Sequence, residues 1–139
     1  MSFGALIKAW LIFLPAMFLN GAVRELVLKR WILPDVADAI SVATAIALIV
    51  GITRYTLRPI AGKPTRMLVR ASVTLVLLTV AFEFLFGHYI SGDSWDSLLA
   101  NYEIWNGRLW VLVLGTIAFV PFLWGYWALP EPRGRRHAR

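Results

Sequence analysis

Apolar residues run almost unbroken through four stretches of the chain, at residues 3–27, 36–53, 68–89 and 109–129. A hydrocarbon core about 30 Å thick is crossed by about 20 apolar residues in a helix, so each stretch predicts a transmembrane span. A helix on the surface of a soluble bundle carries a polar stripe every three or four residues. Residues 42–52 and 73–82 carry none; their only polar side chains are threonines, which can bond back to their own helix. The pattern predicts an all-α, polytopic membrane protein of four transmembrane helices, at about 3–30, 36–53, 68–89 and 109–129.

The connections refine this picture. Pro15 is expected to kink the first helix. That helix is expected to run on to about residue 30, carrying Arg24 and Glu25 inside the bundle, because no breaker other than Gly21 precedes Pro34. Asp35 is expected to cap the second helix, with Asp38 in its first turn. Ala37, Ser41 and Ala45 form a small-residue stripe of the kind that lets helix backbones approach in lipid. The connection 54–67 holds Pro59, Gly62 and Pro64 and reads as a basic, irregular loop. In the outer loop Trp95, Leu98, Leu99 and Tyr102 recur at helical spacing behind a cap at Asp93 or Ser94. They predict a short interfacial helix at about 94–104, between the third and fourth spans. Its other face, with Asp96, Asn101 and Glu103, is acidic, unlike helices that grip anionic lipid, so it is expected to pack down as a lid. Trp105 and Trp110 outside, and Trp124, Tyr126 and Trp127 inside, are expected in interfacial belts. The whole reads as one transmembrane domain, 1–129, and a basic tail, 130–139. The first stretch is too long for a signal-peptide core and lacks a cleavage pattern, so it is expected to be retained.

Hydrophobic residues make up 59% of the chain, above the 45–50% or so of soluble domains. There is no cysteine, which excludes disulfide, thiolate-metal and thiol chemistry. The net charge of +6 suggests nucleic acid only until its distribution is read. Arg54, Arg58, Lys63, Arg66 and Arg70 flank the second connection, and Arg133, Arg135, Arg136 and Arg139 lie in the tail. These fall on one side of a four-span topology; Arg24, Lys29, Arg30 and Arg108 fall on the other. Basic excess in short loops marks the cytoplasmic face. Both termini are therefore expected in the cytoplasm, with the connection-flanking five against lipid headgroups and no nucleic-acid partner.

Glu83, within the third span, is the residue with most chemical potential. A charged group inside a membrane helix is costly unless paired or hydrated. It is expected either to be carried neutral or to pair with a cation, Arg24 or Arg108. Asn20 lies one turn below Arg24, so Asn20, Arg24 and Glu83 are expected to line one polar pocket. Arg24 and Glu25 are about 100° apart on a regular helix and are not expected to face the same neighbour. His88 adds a polar group near the outer surface. The ligand candidates are thus Asn20, Arg24, Glu25, Glu83, His88 and Arg108. No metal-ligand spacing is present, Gly-x-Ser-x-Gly is absent, and no cofactor is expected.

The run 82–89, Phe-Glu-Phe-Leu-Phe-Gly-His-Tyr, followed by Ser94-Trp95, Leu98-Leu99, Tyr102 and Gly107-Arg108-Leu109-Trp110, resembles an uncharacterised family of small four-helix bacterial inner-membrane proteins. Residues 20–25, Asn-Gly-Ala-Val-Arg-Glu, share in the resemblance. It implies that architecture and a bacterial inner membrane, and brings no reaction, ligand or cofactor. The function expected from the residues is a non-enzymatic interaction, accessory or structural subunit, working as a homo-oligomer or beside a larger membrane protein. Two alternatives are an oligomeric proton- or ion-coupled transporter using Glu83 and Arg24, and a lipid-headgroup enzyme.

Overall fold

The computed structural model describes residues 3–127; the expected end of the fourth span at 129 and the basic tail, 130–139, lie outside them. Every regular element among these residues is helical: α1 (Phe3–Val23), α2 (Lys29–Trp31), α3 (Pro34–Thr56), α4 (Thr65–Phe86), α5 (Trp95–Ala100) and α6 (Trp110–Trp127). π-helical turns at Arg24–Leu28 and Gly87–Ser91 continue α1 and α4. The four runs Leu6–Trp31, Pro34–Thr56, Thr65–Ser91 and Trp110–Trp127 are long and apolar enough to cross a membrane.

The long helices form a ring in the order α1, α3, α6, α4. The end carrying Trp31, Pro34, Ser91 and Trp110 is called upper here. Although consecutive, α3 and α4 are diagonal in the ring, so their connection must cross beneath the lower end. It does so as an ordered strap, not the irregular loop its prolines and glycine suggest. A 3-10 turn, Arg58–Ile60, follows Leu57, and Leu57 and Ile60 are fully buried. The Gly62 amide then donates to the Gly125 carbonyl at 3.1 Å, with Gly62 at φ +66°, a conformation that favours glycine.

Each seam of the ring carries its own polar latch. Between α1 and α3, the Asn20 side-chain amide donates to the Ser41 carbonyl at 2.9 Å and hydroxyl at 3.0 Å. The Ala37, Ser41 and Ala45 stripe is buried there. Between α4 and α6, the Ser72 hydroxyl donates to the Ala118 carbonyl at 2.6 Å. Between α3 and α6, the Trp124 indole donates to the buried Thr53 hydroxyl at 3.1 Å. Trp124 is thus turned toward the bundle. Between α1 and α4, the Trp10 indole donates to Thr79 at 3.2 Å. This last seam is bridged by aromatic edges, Trp10 on Phe82 and Phe18 on Phe86, rather than by small residues. Buried threonines also bond back to their own helices, Thr79 to the Leu75 carbonyl at 2.8 Å, as the sequence leads one to expect.

The lower two-thirds of the interior is filled by Phe13, Ile49, Leu68, Leu75, Ile117 and Val120. Large apolar side chains also face outward, among them Leu11, Ile12, Leu19, Leu77, Leu112 and Phe119. Helix α3 starts from Leu33 in an extended conformation with Pro34 in its first turn and no side-chain cap. Asp35 therefore does not cap it. Pro34 has no N–H to satisfy and needs no cap acceptor there. Ser94 does cap α5, accepting from the Ser97 amide at 3.1 Å.

Candidate functional site

Polar chemistry gathers in the upper third of the bundle. A cavity of about 280 Å3 is walled by Met17, Asn20, Arg24, Ser41, Glu83 and Trp110, with Asn101 above. A second, of about 250 Å3, shares Arg24, Asn101 and Trp110 with it and adds Glu25, Lys29, Asp38 and Arg108. Asn20, Arg24 and Glu83 thus share one cavity, as their positions on the helices suggest.

Among the described residues Glu83 has no ion-pair partner. Its Oε2 accepts hydrogen bonds from the Tyr102 hydroxyl and, at 2.8 Å, from the Trp110 indole. The expected pairing with Arg24 or Arg108 does not form; the long Arg24 side chain reaches other carboxylates instead. The Arg24 Nε meets Glu25 at 3.0 Å and Asp38 of α3 at 3.5 Å. Lys29 meets the same two carboxylates at 2.9 Å and 3.5 Å. The expectation that Arg24 and Glu25 face different neighbours is therefore overturned: the two share this cluster. Asp38 Oδ1 is buried without a hydrogen bond. Two cations at 3.5 Å hold it by charge rather than by hydrogen-bond geometry. Arg108 is exposed and borders only the second cavity.

His88 does not belong to this cluster. Its Nδ1 lies 2.9 Å from the Asp93 carbonyl oxygen and its ring stacks on Trp95 at 3.9 Å. It fastens the turn after α4 to α5. Glu25 is half-exposed and borders the second cavity but not the first.

The outer helix covers the site through part of its expected face. Leu98 is buried over Gly87, where an added Cβ would lie 2.6 Å from its Cδ2. Tyr102 reaches down to Glu83. Burial first, and then the Glu83 hydrogen bond, push the Tyr102 phenol above its ordinary pKa of 10. Leu99 instead points outward, 56% exposed, and Trp95 lies over the edge, stacked on His88 and Phe84. Helix α5 ends at Ala100 and a 3-10 turn follows at Ile104–Asn106, so the regular spacing that put four residues on one face does not persist. Asn101, read as part of the acidic outer face, walls the cavity. Trp110 likewise turns inward, whereas Trp105 is 81% exposed.

The residues that sequence reasoning missed are Trp110 and Tyr102 as donors to Glu83, Asp38 as a partner of Arg24, and Lys29 as a second cation on Glu25 and Asp38. An intramembrane carboxylate needs donors, and a tryptophan at the start of the next span was an available one. The chain matches no family model, no curated protein and no solved structure.

At the lower end Arg54, Arg58, Lys63, Arg66 and Arg70 are all exposed. The Arg54 guanidinium lies 5.2 Å from the Trp124 ring, and Arg58 lies 5.1 Å from Tyr55. Among the described residues no three His, Asp or Glu side chains come together as a metal site. Chemically, the upper cavity offers a carboxylate and a guanidinium across one void. The Ser41 hydroxyl is engaged by Asn20, not by a base.

Proposed function

We propose that this chain is a multi-pass protein of the bacterial inner membrane, with both termini in the cytoplasm, acting as a non-enzymatic assembly subunit. The observation that carries the reading is the outer face of α3. Ala39, Ala43, Ala47 and Gly51 follow one another at four-residue spacing, and all four are exposed. A Cβ on Gly51 would meet nothing within 4 Å. Stripes of this kind let two membrane helices approach to backbone contact, where dispersion and weak hydrogen bonds supply the attraction. The stripe matches itself about a two-fold axis, the commonest symmetry of homo-oligomers, so a second copy of the chain is the partner proposed.

The exposed apolar surface supports the membrane setting, since a soluble monomer rarely exposes apolar patches beyond a few hundred Å2. The transporter reading finds less support. Below Glu83 the interior is packed by large apolar side chains, and buried Thr53, Ser72 and Thr79 are already hydrogen-bonded. Such a plug offers an ion no polar route.

The absence of native cysteine makes the test simple. In membranes, mild oxidation of an Ala47→Cys variant is expected to give a disulfide-linked dimer, and Leu77→Cys, exposed on α4, is not. Monomer from Ala47→Cys under conditions that oxidise a control dimer would sink the reading. So would wild-type vesicles that dissipate a proton gradient in a Glu83-dependent way.

A further inference from the structure

The upper cavity does not end among polar groups. It shares Met17, Glu83, Asn101, Trp110 and Val113 with a third void of about 290 Å3. That void lies along the seam between α1 and α4, and its walls are Phe13, Leu14, Phe18, Phe82 and Phe86. Across the shared wall the lining changes from charged to aromatic within one side chain's length.

Three details define what such a place would hold. First, the seam is bridged by ring edges, Trp10–Phe82 at 5.8 Å and Phe18–Phe86 at 6.0 Å, not by small residues that would close it. Phe18 is 63% exposed at its rim, so the void opens sideways on the apolar perimeter of the bundle. Secondly, the hydrogen bond that Arg24 makes to protein among the described residues runs through Nε. Its terminal Nη groups keep their donors for an anion, and a guanidinium fork suits a phosphate. Thirdly, Tyr102 and Trp110 both bond Oε2 of Glu83; the Asn101 side chain also lies beside this carboxylate, and Oε1 carries neither the phenol nor the indole. That oxygen can accept from an ammonium. The cationic and anionic partners line one cavity, and the charges of Arg24 and Lys29 are balanced by Glu25 and Asp38. A purely anionic head therefore meets little net attraction.

We infer that the α1/α4 seam binds one zwitterionic amphiphile, a phospholipid of the phosphoethanolamine type. Its head sits in the cavity between Arg24 and Glu83, and one acyl chain lies in the phenylalanine-lined cleft. The inference rests on the membrane setting proposed above but not on self-association through α3.

The test is native mass spectrometry of the full chain in a non-ionic detergent, titrated with phosphatidylethanolamine, phosphatidylglycerol or acyl-free phosphoethanolamine. A single phosphatidylethanolamine is expected to be retained, about tenfold or more tighter than phosphatidylglycerol. Arg24→Gln and Glu83→Gln are each expected to weaken it by about tenfold, the size of one charge-assisted hydrogen bond. Leu14→Trp fills the cleft without touching either charge. It is expected to abolish lipid retention while the thermal unfolding temperature stays close to wild type, which keeps the test valid should Glu83→Gln misfold. Three results would overturn the inference. They are equal retention of the two lipids, phosphoethanolamine binding as tightly as its lipid, and indifference to Leu14→Trp. A folded bundle that forms the Ala47→Cys dimer yet retains no lipid would sink this inference alone. Lipid retention without that dimer would sink only the assembly reading.

Discussion

Two glycines set how closely neighbouring elements approach. An added methyl at Gly125 would lie 2.6 Å and 2.7 Å from the two terminal carbons of Leu68 and 3.3 Å from its Cγ. Rotating Leu68 therefore does not clear it. At Gly87 the conflict is with one end of Leu98, 2.6 Å away, and the other terminal carbon is at 3.5 Å. Overpacking of this kind costs about 1–3 kcal/mol. Gly125→Ala is expected to cost more than Gly87→Ala, measured by denaturant unfolding in detergent. Gly87→Ala and Leu98→Ala are expected to be non-additive, because shortening Leu98 removes the clash that the methyl creates. Additive losses would mean that the outer helix is not seated on Gly87.

At the scale of the element, helices pack on faces that are nearly all apolar, so shape alone gives little register. The indole and hydroxyl latches supply it. Trp124→Phe keeps the ring's packing and removes the donor to Thr53; Trp10→Phe does the same at Thr79. Interhelical hydrogen bonds in membranes average about 0.6 kcal/mol, with a maximum near 1.7. Each variant is expected to lose an amount in that range in unfolding measurements, and the pair to add, since they lie on different seams. A loss well above that range would show that the ring packing, and not the bond, had changed. The π turn at Arg24–Leu28 works at this scale too. Arg24 and Glu25 within it, Lys29 just after it and Asp38 of α3 form one cluster of two cations and two carboxylates at the upper end.

At the scale of the molecule, the ring order and the strap under α6 place all five exposed cations of the second connection at the lower end. Under the proposed orientation that end faces the cytoplasm. Single cysteines introduced into the cysteine-free chain report this directly. A membrane-impermeant maleimide applied to intact spheroplasts is expected to label Ser91→Cys and Trp105→Cys. Lys63→Cys is expected to label only after permeabilisation. The reverse pattern would invert the topology and move the Arg24–Glu83 cavity to the cytoplasmic side.

Much of this architecture was legible in the chain. Four long apolar runs without polar stripes dictate four helices of spanning length, because backbone hydrogen bonds must be satisfied within each segment in an apolar medium. The Ala37, Ser41 and Ala45 stripe dictates a close-packed face on α3. The meeting of Asn20, Arg24 and Glu83 followed from helical periodicity once α1 was allowed to continue past Gly21. Periodicity could not give the partner of each charge. Arg24 is held by Glu25 and Asp38 rather than by Glu83. The end of α5 at Ala100 left Asn101, expected on the outer face, to wall the cavity, while Tyr102 faces inward as its spacing suggests. The diagonal placement of α3 and α4 bent a proline-rich loop into a buried strap. Such choices depend on angles of a few tens of degrees and on which helix stands opposite, and these are fixed only when all four helices pack together.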